Sequence, residues 1–373
     1  MTEVAELVAE RARRLGPIPF DEVVELALYH PEHGFYSSGG AAGRSGDFLT
    51  SPEVGPLFGA VLARALDEWW HELGEPDPYV VVEAGAGAGT LARHVLDAEP
   101  ACGLALRYVL VERSERLRDV QRARLPMEPP RQVLGPAVVT DPDEGPHPQT
   151  GIGPLVTSLP ELPQRPFVGA VVANELLDNL PFDLVEKTDL GWSEVRVDDE
   201  LREALVPAAH DLALHAERFA PEAASGARIP LQRQATAWVR SAFAVVDRGH
   251  IAVIDYASTT SEMARRPWSE WVRTYRAHGP GGHPLDHLGE QDITCEVAVD
   301  QLPAPDSNRS QAVFLAAHRL AAELEKAKRA WTERAHIGDL EALKHRSRLS
   351  EGEALSDPAG LGAFRVLEWR VEG

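Results

Sequence analysis

The sequence predicts an α/β fold: a Rossmann-like, mostly parallel sheet, with a helical N-terminal region before it and an inserted cap within it. Three observations predict it. From Tyr79 onward, short apolar runs rich in valine alternate with helix-period segments, the pattern of parallel strands joined by crossover helices. The first apolar run, Y-V-V-V-E-A, enters three alternating glycines, Gly85, Gly87 and Gly89, and then a helical pattern through Leu91 and Val95. A second run, R-Y-V-L-V-E (107–112), ends in another acid, Glu112, as the first does in Glu83.

Residues 1–75 read as mainly helical. Leu7, Val8 and Leu15 belong to a first helix, and Val23, Val24, Leu26 and Leu28 to a second. A third runs from Pro56 to Leu73, with Leu57, Val61, Leu62, Leu66, Trp69 and Trp70 at helical spacing. An irregular Gly/Ser-rich segment, 34–53, separates the second from the third. Expected strands cover 79–84, 107–112, 154–158, 168–174 and 250–256; expected helices cover 89–98, 114–125 and 234–247. The proline-rich stretch between Met127 and Pro163 reads as loop around one short strand. Residues 183–232 break the alternation with a hairpin turning at Asp189-Leu190-Gly191 and an Ala-rich helical piece, expected to cap the site. A charged helix from about Val313 to Arg334 and a strand beginning at Phe364 close the chain. The expected organisation is a helical region (1–75), a core (76–182), a cap (183–235), the rest of the core (236–320) and a C-terminal helix and strand (321–373).

Composition narrows the function. The 373 residues, 44% hydrophobic and 25% charged, suit a soluble globular enzyme. No apolar run approaches the roughly 18–20 residues of a membrane helix, so no membrane insertion is expected. The N-terminus is a charged amphipathic helix without an apolar h-region, and its acids argue against a transit peptide. Cys102 and Cys295 alone build no disulfide framework. A cytoplasmic location follows as the expectation. The net charge of −21 disfavours a nucleic-acid partner and suits a cationic one. His278, His283, Asp286 and His287 share one Gly/Pro-rich stretch, but their spacing matches no standard ligand set and no metal is expected.

The glycine loop carries the chemistry. Glycine lets a backbone turn tightly and approach a ligand, and the following helix offers free N–H groups there. A dinucleotide fingerprint, G-x-G-x-x-G/A, would need a small residue where Thr90 stands. The spacing is G-x-G-x-G with an acid two residues before, which resembles motif I of class I S-adenosylmethionine (SAM) methyltransferases. An acid beside the loop suits a sulfonium and an ammonium and would repel a pyrophosphate. Glu112 stands where a ribose-hydroxyl acceptor should. The fourth strand, F-V-G-A-V-V-A, runs into N-E-L-L-D-N-L-P-F, placing Glu175 and Asp178 three apart beyond a carboxyl strand end, where ligands sit in such sheets.

Four blocks extend the resemblance: G-D-F-L-T-S-P-E, V-E-A-G-A-G-A-G-T-L, N-E-L-L-D-N-L-P and V-I-D-Y-A. They are similar to the MidA-like family, the group that includes the mitochondrial complex I assembly-factor protein arginine methyltransferase and many bacterial relatives. Ala86 and Ala257 depart from the proline and glycine usual there, without removing a side-chain ligand. The resemblance implies a class I SAM-methyltransferase fold, SAM as cofactor, a protein arginine side chain as acceptor and a respiratory-complex subunit as a possible partner. It implies that Glu83, Gly85, Gly87 and Gly89 hold the methionine moiety, that Glu112 holds the ribose, and that Ser158 and Leu159 border the adenine. Asp47, Ser51 and Pro52 would fold over the cofactor, with Asn174 also beside it. Glu175 and Asp178 would be catalytic, clamping the acceptor's guanidinium. A small-molecule O- or N-methyltransferase, or a SAM-binding assembly factor without turnover, would show the same motifs.

Overall fold

The computed structural model describes residues 1–38, 50–135, 150–276, 279–337 and 339–373. The chain forms two compact units. Asp47 and His278 lie outside the described residues.

The larger unit comprises 49–174, 241–254 and 305–373 and is built on a seven-stranded sheet. Its strands are β1 (Tyr79–Ala84), β2 (Leu106–Val111), β3 (Leu155–Leu159), β4 (Phe167–Asn174), β5 (Val246–Asp255), β6 (Ser307–Ser310) and β7 (Arg365–Val371). Their order across the sheet is 6-7-5-4-1-2-3. The pairs β1–β2, β2–β3, β1–β4 and β4–β5 are parallel, whereas β6 and β7 are antiparallel. The strand order reverses beside β1, which puts the glycine loop at the topological switch point of a doubly wound sheet. Strands buried on both faces explain the unbroken apolar runs: every residue of β1 and of β2 is buried.

Crossover helices follow from caps and amphipathic stripes. Ser114 accepts the Leu117 N–H to start the helix Glu115–Arg124, with Glu115 in its first turn and Arg122 and Arg124 in its last. The helix Leu57–Glu72 buries Val61, Leu62, Leu66 and Trp69 in the same core as Tyr79, Val81, Tyr108 and Leu110. The C-terminal helix expected over 313–334 is two helices, Gln311–Ala317 and Leu320–Arg334, broken at Arg319, whose φ is +68°. A further helix, Leu340–Ser356, escapes the periodicity because Gly352 and scattered charges dilute its apolar stripe.

The other unit comprises 1–48, 175–240 and 255–304. It holds a five-stranded sheet in which Asp183–Thr188 and Gly191–Val197 form the expected hairpin around Asp189 and Leu190. Ile18–Pro19 and Glu203–Pro207 pair with Gly191–Val197, and Arg228–Leu231 pairs with Asp183–Thr188, all antiparallel. A second, three-stranded sheet joins Val272–Arg276 to Gly279–Pro280 and Asp292–Cys295. The helices Glu3–Leu15 and Phe20–Tyr29 contribute Val8, Phe20 and Val24 to a core with Phe182, Leu184, Trp271 and Ile293. No helix among the described residues is long and apolar enough to cross a membrane.

Candidate functional site

The loop after β1 is shaped by backbone conformations that only glycine adopts cheaply. Gly85, Gly87 and Gly89 all have positive φ, +68°, +51° and +78°. A Cβ on Gly87 would meet open space, so that glycine serves conformation alone. A Cβ on Gly89 would crowd Leu110 and Leu125 at 3.2 Å, so there the missing side chain also seats the helix Thr90–Asp97 against its neighbours.

The Gly87 peptide is gripped from both sides. Its N–H donates to Glu112 Oε2 at 2.9 Å, and its carbonyl accepts from Gln121 Nε2 at 2.7 Å. Gln121 is fully buried and also accepts the Ser158 hydroxyl at 2.6 Å. Glu112 Oε1 accepts the Ser114 N–H at 2.8 Å, and the Glu112 N–H donates to the Leu159 carbonyl at 3.0 Å. The structure thus brings Gly87, Glu112, Ser158 and Leu159 together. Gln121, which completes the set, carries no sequence signal beyond being a polar residue on a helix.

Glu83 is placed differently. It is 4% exposed, and its Oε2 accepts the Tyr108 hydroxyl at 2.7 Å. The Ala92 amide, in the first turn of Thr90–Asp97, also bonds its carboxyl. Burial raises Glu83 to about 8 despite these two donors, so the proton is largely retained at neutral pH. The group acts here as an internal tie between β1, β2 and the helix start. Burial also pushes Glu112 above its ordinary value, opposed by the Ser114 and Gly87 amides.

These contacts discriminate between ligands. A phosphate cradle keeps loop N–H groups for the anion. Here the Gly87 N–H is already committed to the Glu112 carboxylate and is not kept for a phosphate. The Glu112 carboxylate is an acceptor suited to ribose hydroxyls.

Ser51 and Pro52 are buried. The Ser51 hydroxyl donates to Gln311 Oε1 at 3.0 Å, and Gln311 Nε2 donates to the Leu355 carbonyl at 3.3 Å. Asn174, the last residue of β4, stands in register with Ile254 of β5.

The smaller unit holds a buried carboxylate cluster. Glu175 is in the left-handed region at φ +51°, a strained conformation for a non-glycine residue. It opens a turn into the short 3-10 helix Leu177–Asn179. Asp255 holds that turn: its Oδ2 accepts the Leu177 and Asp178 N–H groups at 3.1 and 3.3 Å, and its Oδ1 accepts the Tyr256 N–H at 3.0 Å. Asp178 Oδ2 accepts the Tyr256 hydroxyl at 2.8 Å. Asp292 Oδ1 accepts Tyr36 Oη–H, Asn179 Nδ2–H and the Ile293 N–H at 3.1, 3.1 and 3.0 Å. Burial raises all three acids: Asp178 to about 6, Asp292 to about 8 with Asp178 adding repulsion, and Asp255 well upward for the same reasons. Asp255 lies in the V-I-D-Y-A block that carries the family resemblance, but the sequence reading assigns no site role to it, to Tyr36 or to Asn179. No group of three or more His, Cys, Asp or Glu among the described residues is placed to hold a metal ion.

A strand order of 6-7-5-4-1-2-3 with a glycine loop at the switch point and an acid closing the next strand defines a Rossmann-like fold of the methyltransferase type. The family described as "Putative S-adenosyl-L-methionine-dependent methyltransferase" matches residues 61–315, and the chain belongs to it. A solved structure from Burkholderia thailandensis, described as a "likely methyl transferase" bound to S-adenosyl-homocysteine, is similar over 99% of this chain and 92% of its own. Its TM-score is 0.77 and its identity 31%. The mitochondrial "Protein arginine methyltransferase NDUFAF7 homolog" of Drosophila melanogaster is 32% identical over 197 residues, 49% of this chain and 42% of that protein. The human mitochondrial protein arginine methyltransferase NDUFAF7 is 29% identical over 264 residues, 64% of this chain and 58% of that protein. The chain thus spans about half the length of the curated relatives it matches.

One expectation is corrected by these relatives. The cytoplasmic location expected from the sequence does not stand, because the curated relatives are mitochondrial proteins. The acids of one N-terminal helix are too weak an observation to settle a compartment.

Proposed function

We propose that this chain is a SAM-dependent protein arginine N-methyltransferase. The observation that carries the cofactor part of the proposal is the committed Gly87 N–H, which donates to Glu112 and is not kept for a phosphate. The family and the solved relative with bound S-adenosyl-homocysteine support the SAM-dependent part of this reading. The arginine acceptor is proposed from likeness to the mitochondrial protein arginine methyltransferases.

When bound, SAM supplies a methyl group made electrophilic by its sulfonium. Gly85 and Gly87 would lie against the methionine portion, Glu112 would accept ribose hydroxyls, and Ser158 and Leu159 would border the adenine. Ser51, Pro52, Asn174 and Asp47 are proposed neighbours of the cofactor. Glu83 would set the loop from beneath by fixing the helix start.

A guanidinium is cationic at every accessible pH and a poor nucleophile. Carboxylates that accept two of its nitrogens localise positive charge there and leave the third nitrogen more nucleophilic. Glu175 and Asp178 are proposed for this role, since the chain passes from Asn174 directly into Glu175. Alignment and water exclusion would supply much of the remaining rate. Residues 183–235 are proposed to select the acceptor, and by likeness to the mitochondrial relatives a respiratory-complex subunit is the proposed partner.

The test incubates purified protein, and Glu175→Gln beside it, with methyl-labelled SAM and lysate from cells lacking the gene. Label on arginine in one protein band, lost in the variant while S-adenosyl-homocysteine still binds, is expected. Label confined to small molecules would replace the acceptor assignment. No label despite cofactor binding would favour a SAM-binding assembly factor.

A further inference from the structure

Two buried carboxylates in the smaller unit are each held by one oxygen only. Asp178 is 4% exposed and Asp292 fully buried. Asp178 Oδ2 is fixed by the Tyr256 hydroxyl, and Asp292 Oδ1 by Tyr36, Asn179 and the Ile293 amide. The other oxygens, Asp178 Oδ1 and Asp292 Oδ2, are buried and take no hydrogen bond from any described residue. Asp255, the third acid, differs in kind, because both its oxygens are used by backbone amides.

A buried carboxylate oxygen left without a hydrogen bond keeps its desolvation penalty uncompensated, and Asp178 and Asp292 also repel one another. A ligand that offers matching donors is one way in which such a pair is satisfied. Arg273 does not offer them: its guanidinium lies over the Tyr256 ring at 5.5 Å and donates to the Glu270 carbonyl. Asn179 links the pair, since it follows Asp178 in the chain and donates to Asp292. Two fixed carboxyl groups, each with one open oxygen, suit a cation whose donors sit on separate atoms. A guanidinium has that form; an ammonium concentrates its donors on one nitrogen. A guanidinium there would favour the ionised form of Asp292, which burial and Asp178 oppose in its absence.

We propose that Asp178 and Asp292 form a twin-carboxylate seat for the guanidinium of the methyl acceptor, with Tyr36, Asn179 and Tyr256 holding the two carboxylates in place. The inference rests on the arginine reading above and adds Asp292 as an acceptor-binding residue remote in sequence from the 174–182 block. Tyr36 and Tyr256 are positioning residues.

The test has two arms on the full chain. In the first, arginine amide is titrated by calorimetry into protein saturated with S-adenosyl-homocysteine, using wild type, Asp292→Asn and Tyr36→Phe. Wild type should bind, Asp292→Asn should weaken binding by at least about tenfold, and Tyr36→Phe should fall between. S-adenosyl-homocysteine affinity should stay within about twofold throughout, which a general folding defect would not allow. In the second, acceptor KM and kcat are compared by methyl transfer, and Asp292→Asn should raise KM more than it lowers kcat. Equal binding of arginine amide by wild type and Asp292→Asn would overturn the seat, as would no binding to wild type. Selective binding without methylation of any acceptor would keep the seat and refute the methyltransferase reading.

Discussion

Glu83 shows how far a single residue can be read. The acid before a glycine loop was legible, and it pointed to a cofactor beside it. Its direct partners, the Tyr108 hydroxyl and the Ala92 amide, were not, because they arrive from a neighbouring strand and from the far side of the turn. Its pKa, raised to about 8, carries a stability prediction. The native state holds this proton where an unfolded glutamate has lost it, so Glu83 favours the native state fully below the ordinary glutamate range. That contribution is lost as pH rises toward and through 8. The free energy of unfolding should fall across this window with a slope approaching about 1.4 kcal/mol per pH unit from this group. Glu83→Gln keeps an acceptor for the hydroxyl and amide and should flatten that slope. Urea denaturation from pH 5 to 9 decides the matter: parallel curves for wild type and variant would show that Glu83 is ionised in the native protein.

Elements were legible where periodicity was strong and uninterrupted. The parallel strands fall within a few residues of their expected ends because buried β-branched runs have few alternatives. The helix Leu340–Ser356 was missed and the helix at 313–334 was read as unbroken, since tertiary packing overrides local pattern at both places. Contacts between elements were less visible still. Gln121 ties its helix to the glycine loop and to the end of β3 through two side-chain hydrogen bonds, and nothing in its neighbourhood marks it. Gln121→Leu fills a similar volume but strands the Gly87 carbonyl and the Ser158 hydroxyl. S-adenosyl-homocysteine affinity should weaken by roughly three- to tenfold. Gln121→Glu keeps an acceptor for Ser158 but faces the Gly87 carbonyl with an oxygen, and should be at least as damaging. Calorimetric affinities matching wild type for both variants would show that the tie does not shape the loop.

On the scale of the whole molecule, segments distant in sequence share a unit, and this was hidden. Residues 1–48 and 255–304 join 175–240 in one compact body, so Tyr36, Asp178 and Asp292 meet across separations that no local pattern reports. Charge is the global property that could be read directly. With 37 basic and 58 acidic residues the protein carries a formal charge of −21, enough to bias encounters with charged partners. If the acceptor is an arginine in a basic peptide, the field should speed its approach at low salt. It should fade as the Debye length shrinks from about 30 Å at 0.01 M to about 8 Å at 0.15 M ionic strength. The acceptor's KM should then rise several-fold over that range while S-adenosyl-homocysteine affinity changes little, because the buried loop contacts are poorly screened. Steady-state methylation of a basic peptide across a salt series tests this. A salt-independent KM would mean that recognition rests on the short-range carboxylate contacts alone, and that the acidic surface serves solubility.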